Sequence, residues 1–164
     1  MAGDPRAAFL ARYGGVYEAS PWVAEAVWPA VADGTIGDVE ALAAAMRAAV
    51  DGAGHYDKLS LIRAHPELAS RARMADASVR EQSGAGLDQC SAEEFEAFQR
   101  LNGTYNARFG FPFIVAVKGL TRADILDAFR ARLDNDPQTE FDTAIAQIHR
   151  IAGFRLQDLG FPDR

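Results

Sequence analysis

"FGFPFIVAVKG", residues 109–119, decides the fold class of this chain. Periodicity alone predicts a buried strand there, because the run is short and apolar. Its proline cannot donate a ladder hydrogen bond, and its glycines permit unusual backbone angles. In the rest of the chain the apolar residues mainly have helical spacing, and one strand alone cannot form a sheet. We therefore predict an all-α fold: one domain over residues 1–164, a helical bundle of about seven to eight helices.

Capping residues predict where several helices begin. The signatures are the pair Ser20–Pro21, the single residue Asp38, and the pairs Ser91–Glu94 and Thr121–Asp124. A helix from about His55 should end near His65, because the residue before a proline is pushed out of the α region. Residues 67–75 look helical again. A last long helix runs from about Pro137 to Leu159.

Composition limits the function classes. The net charge is -6, which argues against non-specific binding to nucleic acid or to an anionic membrane. A single cysteine, Cys90, excludes an internal disulfide and fits a reducing compartment. The first residues do not resemble a signal peptide, and no apolar run approaches membrane-spanning length. We expect a cytoplasmic protein.

The motifs of metal and nucleotide cofactors are missing. Three histidines and one cysteine are few and scattered, without H-E-x-x-H or C-x-x-C. The sequence has no G-x-G-x-x-G, Walker A or G-x-S-x-G pattern. An enzyme built on this chain would work without a metal or another cofactor, with its side chains alone.

Two polar motifs are candidates for chemistry. In "RAHPELA", residues 63–69, His65 either caps the C-terminus of a helix or is presented by the turn at Pro66 as an acid or base. In "SVREQ", residues 78–82, Ser78 and Glu81 have the spacing of a capping box, so a short capped helix competes with a polar site.

Two further features could serve a ligand. Arg155 leans toward the apolar face of the last helix, where a guanidinium needs an anion. That anion is either a protein carboxylate or a ligand. The segment within residues 109–119 could turn backbone groups toward an amide-rich molecule, or be ordinary core.

Taken together, these segments resemble the OHCU decarboxylase family, whose substrate is 2-oxo-4-hydroxy-4-carboxy-5-ureidoimidazoline. The resemblance covers nearly the whole chain, and its most specific part is "LNGTYNARFGFPFIVAVKG", residues 101–119. The other segments, in order, are residues 13–22, 63–69, 78–100 and 135–156. The resemblance implies an all-helical homodimer without a cofactor that converts OHCU to (S)-allantoin. It also implies short extended backbone at residues 113–117, without a sheet.

The resemblance also implies roles for individual residues. His65 falls on the catalytic histidine of the family, and Glu81 on a second catalytic position. Substrate-binding positions fall on Pro66, Ser78, Gln82, Phe113, Ile114, Val115, Ala116, Val117 and Arg155. With an ordinary pKa near 6.5, His65 can donate a proton near neutral pH, and Glu81 can stabilise its imidazolium or bind the substrate.

Two alternatives stay open at this point. The chain could be a hydrolase of the neighbouring ureide intermediate hydroxyisourate, or a helical binding module whose polar residues are only caps. The combination of His65, Glu81 and Gln82 favours the decarboxylase.

Overall fold

A computed structural model describes residues 3–69 and 76–162. These ranges contain eight α-helices, a 3₁₀ turn at Leu87–Gln89 and no strand, so the all-α prediction is confirmed. The helices are α1 (Pro5–Tyr13), α2 (Trp22–Ala32), α3 (Val39–Asp51), α4 (His55–Ala64), α5 (Asp76–Gly84), α6 (Ala92–Phe109), α7 (Arg122–Arg132) and α8 (Pro137–Leu159). The strand that periodicity predicted within residues 109–119 is wrong.

The chain divides into two compact units, residues 1–64 with 149–164 and residues 65–148. In the first unit α1 packs against α2, and α2 against α3. Its core is aliphatic and aromatic: among the fully buried side chains are Leu42, Met46, Val50, Leu61 and Ile62. Helix α8 supplies residues to both units. A single domain over residues 1–164 stays a prediction.

The second unit has an aromatic core around Tyr105 of α6, which is fully buried. Four rings contact it, those of Phe109, Phe111, Phe113 and Phe129. Phe113 and Phe129 stack with centroids 3.9 Å apart and planes at 9°. Because aromatic rings bury large apolar areas, this cluster fixes the segment around Phe113 against α6 and α7.

Three of the four predicted capping residues begin a helix. Asp38 accepts a hydrogen bond from the backbone of Ala41, and Ser91 and Thr121 form complete capping boxes. The prediction for Ser20 is wrong. Pro21 precedes α2 instead, and the Ser20 hydroxyl donates to the Glu18 carbonyl at 2.8 Å. Serine hydroxyls compete for such nearby carbonyls, which takes them away from capping.

No helix within residues 3–69 and 76–162 has the length and apolar character needed to cross a membrane.

Candidate active site

Helix α4 ends at Ala64, as the His-Pro sequence predicts. His65 follows in a bend, and only 7% of the residue is exposed. The imidazole is therefore largely removed from solvent. Residues 67–69 form a turn, so the predicted helix over 67–75 is wrong there, and residues 70–75 lie outside the described ranges.

Helix α5 carries the second polar motif. Ser78 and Gln82, four residues apart, are both buried on one face, while Val79 and Arg80 are exposed and Glu81 is half-buried. Ser78 and Glu81 both lie inside the helix, so the capping-box interpretation of this pair is wrong. The buried face of α5 therefore presents polar side chains, as a polar site requires.

Gln82 binds the turn that follows His65. Its Oε1 accepts a hydrogen bond from the Ala69 amide at 3.0 Å, and its Nε2 donates to the Glu67 carbonyl at 3.4 Å. The structure thus joins the RAHPELA segment, residues 63–69, to the SVREQ segment, residues 78–82, through Gln82.

Three amide side chains of α6, which sequence reasoning missed, bind the same turn. Asn102 Nδ2 donates to the Leu68 carbonyl at 3.0 Å, and Gln99 Nε2 donates to the Ala69 carbonyl at 3.1 Å. Asn106 Nδ2 instead donates to the Glu67 carboxylate at 2.7 Å. The signal in the sequence was faint: Asn102 lies on the helix face of the apolar Phe98 and Tyr105, where an amide needs a polar partner.

Residues 112–117 run without helix or strand and are buried except for the half-buried Val115. The Ile114 carbonyl accepts from Arg132 Nη1 at 2.5 Å, and the Ala116 amide donates to Gln147 Oε1 at 2.9 Å. Since side chains satisfy these backbone groups, the segment needs no partner strand. This is the physical reason why the periodic strand signal failed.

Arg132 is held in turn by Glu140, which is completely buried. The Glu140 carboxylate accepts from Arg132 Nε at 2.9 Å, from Asn135 Nδ2 at 2.9 Å and from the Tyr105 hydroxyl at 2.5 Å. Burial raises the pKa of Tyr105, and its hydrogen bond to Glu140 adds to that rise, so the phenol stays protonated and donates. The guanidinium carbon of Arg132 also lies 4.3 Å from the Phe113 ring centroid.

Glu140 was missed by sequence reasoning, although a signal existed. It shares one face of α8 with Ala144 and Ile148, which are buried. A carboxylate on such a face needs donors, by the same argument that singled out Arg155.

Arg155 belongs to the first unit and is buried there, as predicted. Its Nη1 lies 2.7 Å from Glu18 Oε2 and also donates to the carbonyls of Gly15 and Val16 at 3.4 and 3.3 Å. A protein carboxylate therefore supplies the anion that the burial of Arg155 required. A role in substrate binding stays a prediction.

The first unit holds another polar chain that sequence reasoning did not find. His149 Nδ1 lies 2.7 Å from the Tyr17 hydroxyl, and His149 Nε2 lies 2.9 Å from Asp51 Oδ1. Burial lowers the pKa of His149 despite the nearby carboxylate. The neutral ring can accept from Tyr17 and donate to Asp51.

An open groove of about 540 Å³ lies in the second unit and is lined by Gly84, Ala85, Gly86, Glu94, Leu120, Thr121, Arg122 and Ala123. None of the predicted site residues lines it. Arg122 donates two hydrogen bonds of 2.9 Å, from Nε to the Glu94 carboxylate and from Nη1 to the Gly86 carbonyl. Within the described residues, no group of three or more His, Cys, Asp or Glu side chains could hold a metal ion.

Comparison with known proteins places the chain among its relatives. The sequence model of OHCU decarboxylase matches residues 4–157. The chain is 45% identical to 2-oxo-4-hydroxy-4-carboxy-5-ureidoimidazoline decarboxylase of Haloferax volcanii over 150 residues, 92% of this chain and 88% of that protein. Its structure is similar to a crystal structure of (S)-allantoin synthase, with a TM-score of 0.76 and 36% identity over 94% of this chain and 50% of that one. It is also similar to OHCU decarboxylase crystallised in the presence of (S)-allantoin, with a TM-score of 0.64 and 26% identity over 74% of this chain and 80% of that one. The chain belongs to the OHCU decarboxylase family.

Proposed function

We propose that this chain decarboxylates OHCU to (S)-allantoin, with release of carbon dioxide, as a step of urate degradation. The observation that carries the proposal is the buried His65 turn, hydrogen-bonded to Gln82 of α5 in a member of the OHCU decarboxylase family. It joins the two motifs that the family resemblance assigns to the substrate site.

The reaction needs orientation and a proton more than it needs a cofactor. In OHCU the carboxylate is bonded to a carbon next to a ring C=N bond. When the bond to carbon dioxide breaks, its electron pair moves into that imine, provided that the carboxylate lies roughly perpendicular to the imine plane. One proton is then taken up on one face of the carbanion, which gives a single enantiomer of allantoin.

The predicted residues fit these two tasks. His65 is proposed as the acid–base group, with Glu81 stabilising its imidazolium or binding a substrate hydroxyl or N–H. Ser78 and Gln82 are proposed to bind the ring amide, together with Pro66 and the backbone of residues 113–117. Arg155 is proposed as a ligand of a substrate oxygen on the family resemblance alone. The apolar surroundings of residues 113–117 exclude water and favour the charge-dispersed transition state over the carboxylate.

A circular dichroism assay tests the function. Freshly generated OHCU is mixed with the protein, and the appearance of optically active allantoin is followed against the slow spontaneous reaction. Rapid growth of the (S)-allantoin signal is expected. A hydrolase would instead consume hydroxyisourate and leave OHCU to decay spontaneously, and a binding module would turn over neither compound.

We propose further that the protein is a cytoplasmic homodimer that acts without a cofactor. The family resemblance supports the dimer, and the single cysteine fits a reducing compartment. Light scattering should give about twice the chain mass of 17.7 kDa. Activity should survive exhaustive chelation, and loss of activity that added metal restores would contradict the cofactor-free mechanism.

A further inference from the structure

The turn that follows His65 is bound by three side-chain amides through its backbone. They are Gln82 of α5 and Gln99 and Asn102 of α6, here named the amide clamp. Together they bind the carbonyls of three consecutive residues, 67 to 69, and the amide of Ala69. Buried backbone groups outside helices need such partners, and three side chains converge here on one short turn.

Ala69 is the strained residue of the turn. Its φ angle is 54°, in the left-handed region that residues with a Cβ rarely adopt. The clamp holds the residue on both sides: its amide donates to Gln82 and its carbonyl accepts from Gln99. A disfavoured backbone conformation persists when the surroundings over-determine it, and such conformations cluster at functional sites.

Burial explains why amides are used. Asn102 is 2% exposed and Leu68 is 5% exposed, so the Leu68 carbonyl has little access to water. A buried carbonyl needs a donor, and a neutral amide supplies one without burying a charge. Asn102 thus satisfies the Leu68 carbonyl where water has little access.

Ala69, which the clamp holds, lies only four residues after His65, and the clamp also binds the carbonyls of Glu67 and Leu68 in between. Pro66 has a fixed φ angle and restricts the backbone of His65 itself. We therefore expect a rotation at Ala69 or Leu68 to displace His65. Catalytic groups must be held close to their productive geometry, and a misplacement of about 1 Å can cost about 10²-fold in rate.

We propose that Gln99 and Asn102 are positioning residues, which act with Gln82 through the left-handed conformation of Ala69 to set the place of the His65 imidazole. The catalytic part of this inference rests on the proposed decarboxylase function. Its structural part, that the clamp positions His65, can be tested without any substrate.

Gln99→Ala is the main test, because Gln99 is exposed at the surface of α6 and its truncation leaves the core intact. We expect kcat for OHCU to fall up to about 10²-fold, with a smaller change in KM. Glu96→Ala is the matched control: it truncates an exposed side chain of similar length on the same helix. It should keep near-normal kcat.

Ala69→Gly tests the mechanism of the clamp. Glycine adopts a positive φ without the Cβ penalty, so the double variant Gln99→Ala with Ala69→Gly should recover part of the kcat that Gln99→Ala loses. A merely structural role of Gln99 would not give this rescue in kcat. Near-normal kcat in Gln99→Ala, or a loss that Ala69→Gly does not relieve, would overturn the proposal.

Histidine NMR separates this inference from the proposed function. The chain has three histidines, and the ring signal of His65 is assigned by its loss in His65→Asn. In Gln99→Ala we expect that signal to shift or broaden while those of His55 and His149 stay in place. If wild type fails to turn over OHCU, the function fails while this readout still decides the positioning. An unchanged His65 signal would refute the positioning whatever the activity.

Discussion

Replacing Glu140 with alanine should lower the free energy of unfolding by about 3–5 kcal/mol, the range for removing one partner of a buried ion pair. Glu140 is completely buried and accepts three hydrogen bonds, from Tyr105, Arg132 and Asn135. Hydrogen bonds to a charged group contribute about 1.5–3 kcal/mol each, but desolvation of the carboxylate offsets part of their sum. The variant leaves the mostly buried guanidinium of Arg132 without its carboxylate.

Glu140→Gln separates charge from shape. The amide keeps one acceptor oxygen for Tyr105 and Arg132 but turns a donor toward Asn135. The two bonds that remain become neutral-acceptor bonds and weaken by about 1 kcal/mol each. The loss should therefore be about 2–3 kcal/mol, smaller than that of Glu140→Ala.

Urea unfolding followed by far-ultraviolet circular dichroism measures both losses. Glu96→Ala, the same truncation at an exposed position of α6, is the control and should change stability by less than about 0.5 kcal/mol. A loss below about 1 kcal/mol for Glu140→Ala would refute the reasoning. So would equal losses for the glutamine and alanine variants, because the charge would then contribute nothing.

Three further outcomes are expected. His65→Asn should reduce OHCU turnover by about 10²–10⁴-fold while the fold is retained, and His55→Asn at the exposed start of α4 should keep near-normal turnover. Normal turnover of His65→Asn with a lower melting temperature would make His65 structural. Glu81→Gln should lose turnover at near-normal stability if the charge of Glu81 is needed, and full activity would exclude that role. The pKa of His149 is lowered by burial, so its contribution to stability is complete above the unfolded pKa of about 6.5 and is lost as pH falls below it. The melting temperature of His149→Gln should therefore fall less than that of the wild type as pH is lowered below about 6.5. Identical plots of melting temperature against pH for the two proteins would contradict this prediction.

Local signals in the sequence predicted much of the helical framework. The capping boxes at Ser91 and Thr121 were predicted correctly because the donors and acceptors of each box lie within four residues of sequence. The end of α4 was predicted correctly because the constraint that Pro66 imposes on the preceding residue is also local. The prediction for Ser20 fails because a second local partner, the Glu18 carbonyl, takes its hydroxyl.

The candidate site was predicted only in part, and the missing part is non-local. His65 and Gln82 could be named from motifs, but their connection through the Ala69 amide spans 13 residues of sequence. The partners of the turn on α6 are 30 and 34 residues away from the carbonyls they bind. Periodicity registers only that such positions are buried or exposed, and it says nothing of which amide binds which carbonyl.

Irregular backbone accounts for two polar networks of the second unit. An all-helical fold satisfies its peptide groups within each helix, so a buried segment outside a helix has no ladder to join. The turn at residues 67–69 takes Gln82, Gln99 and Asn102 as partners, and residues 112–117 take Arg132 and Gln147. Backbone held by side chains can take conformations that a helix or sheet forbids, as the φ angle of Ala69 illustrates. It follows that substitutions at the partner positions other than Gln82 should alter the site without touching any residue that a motif identifies.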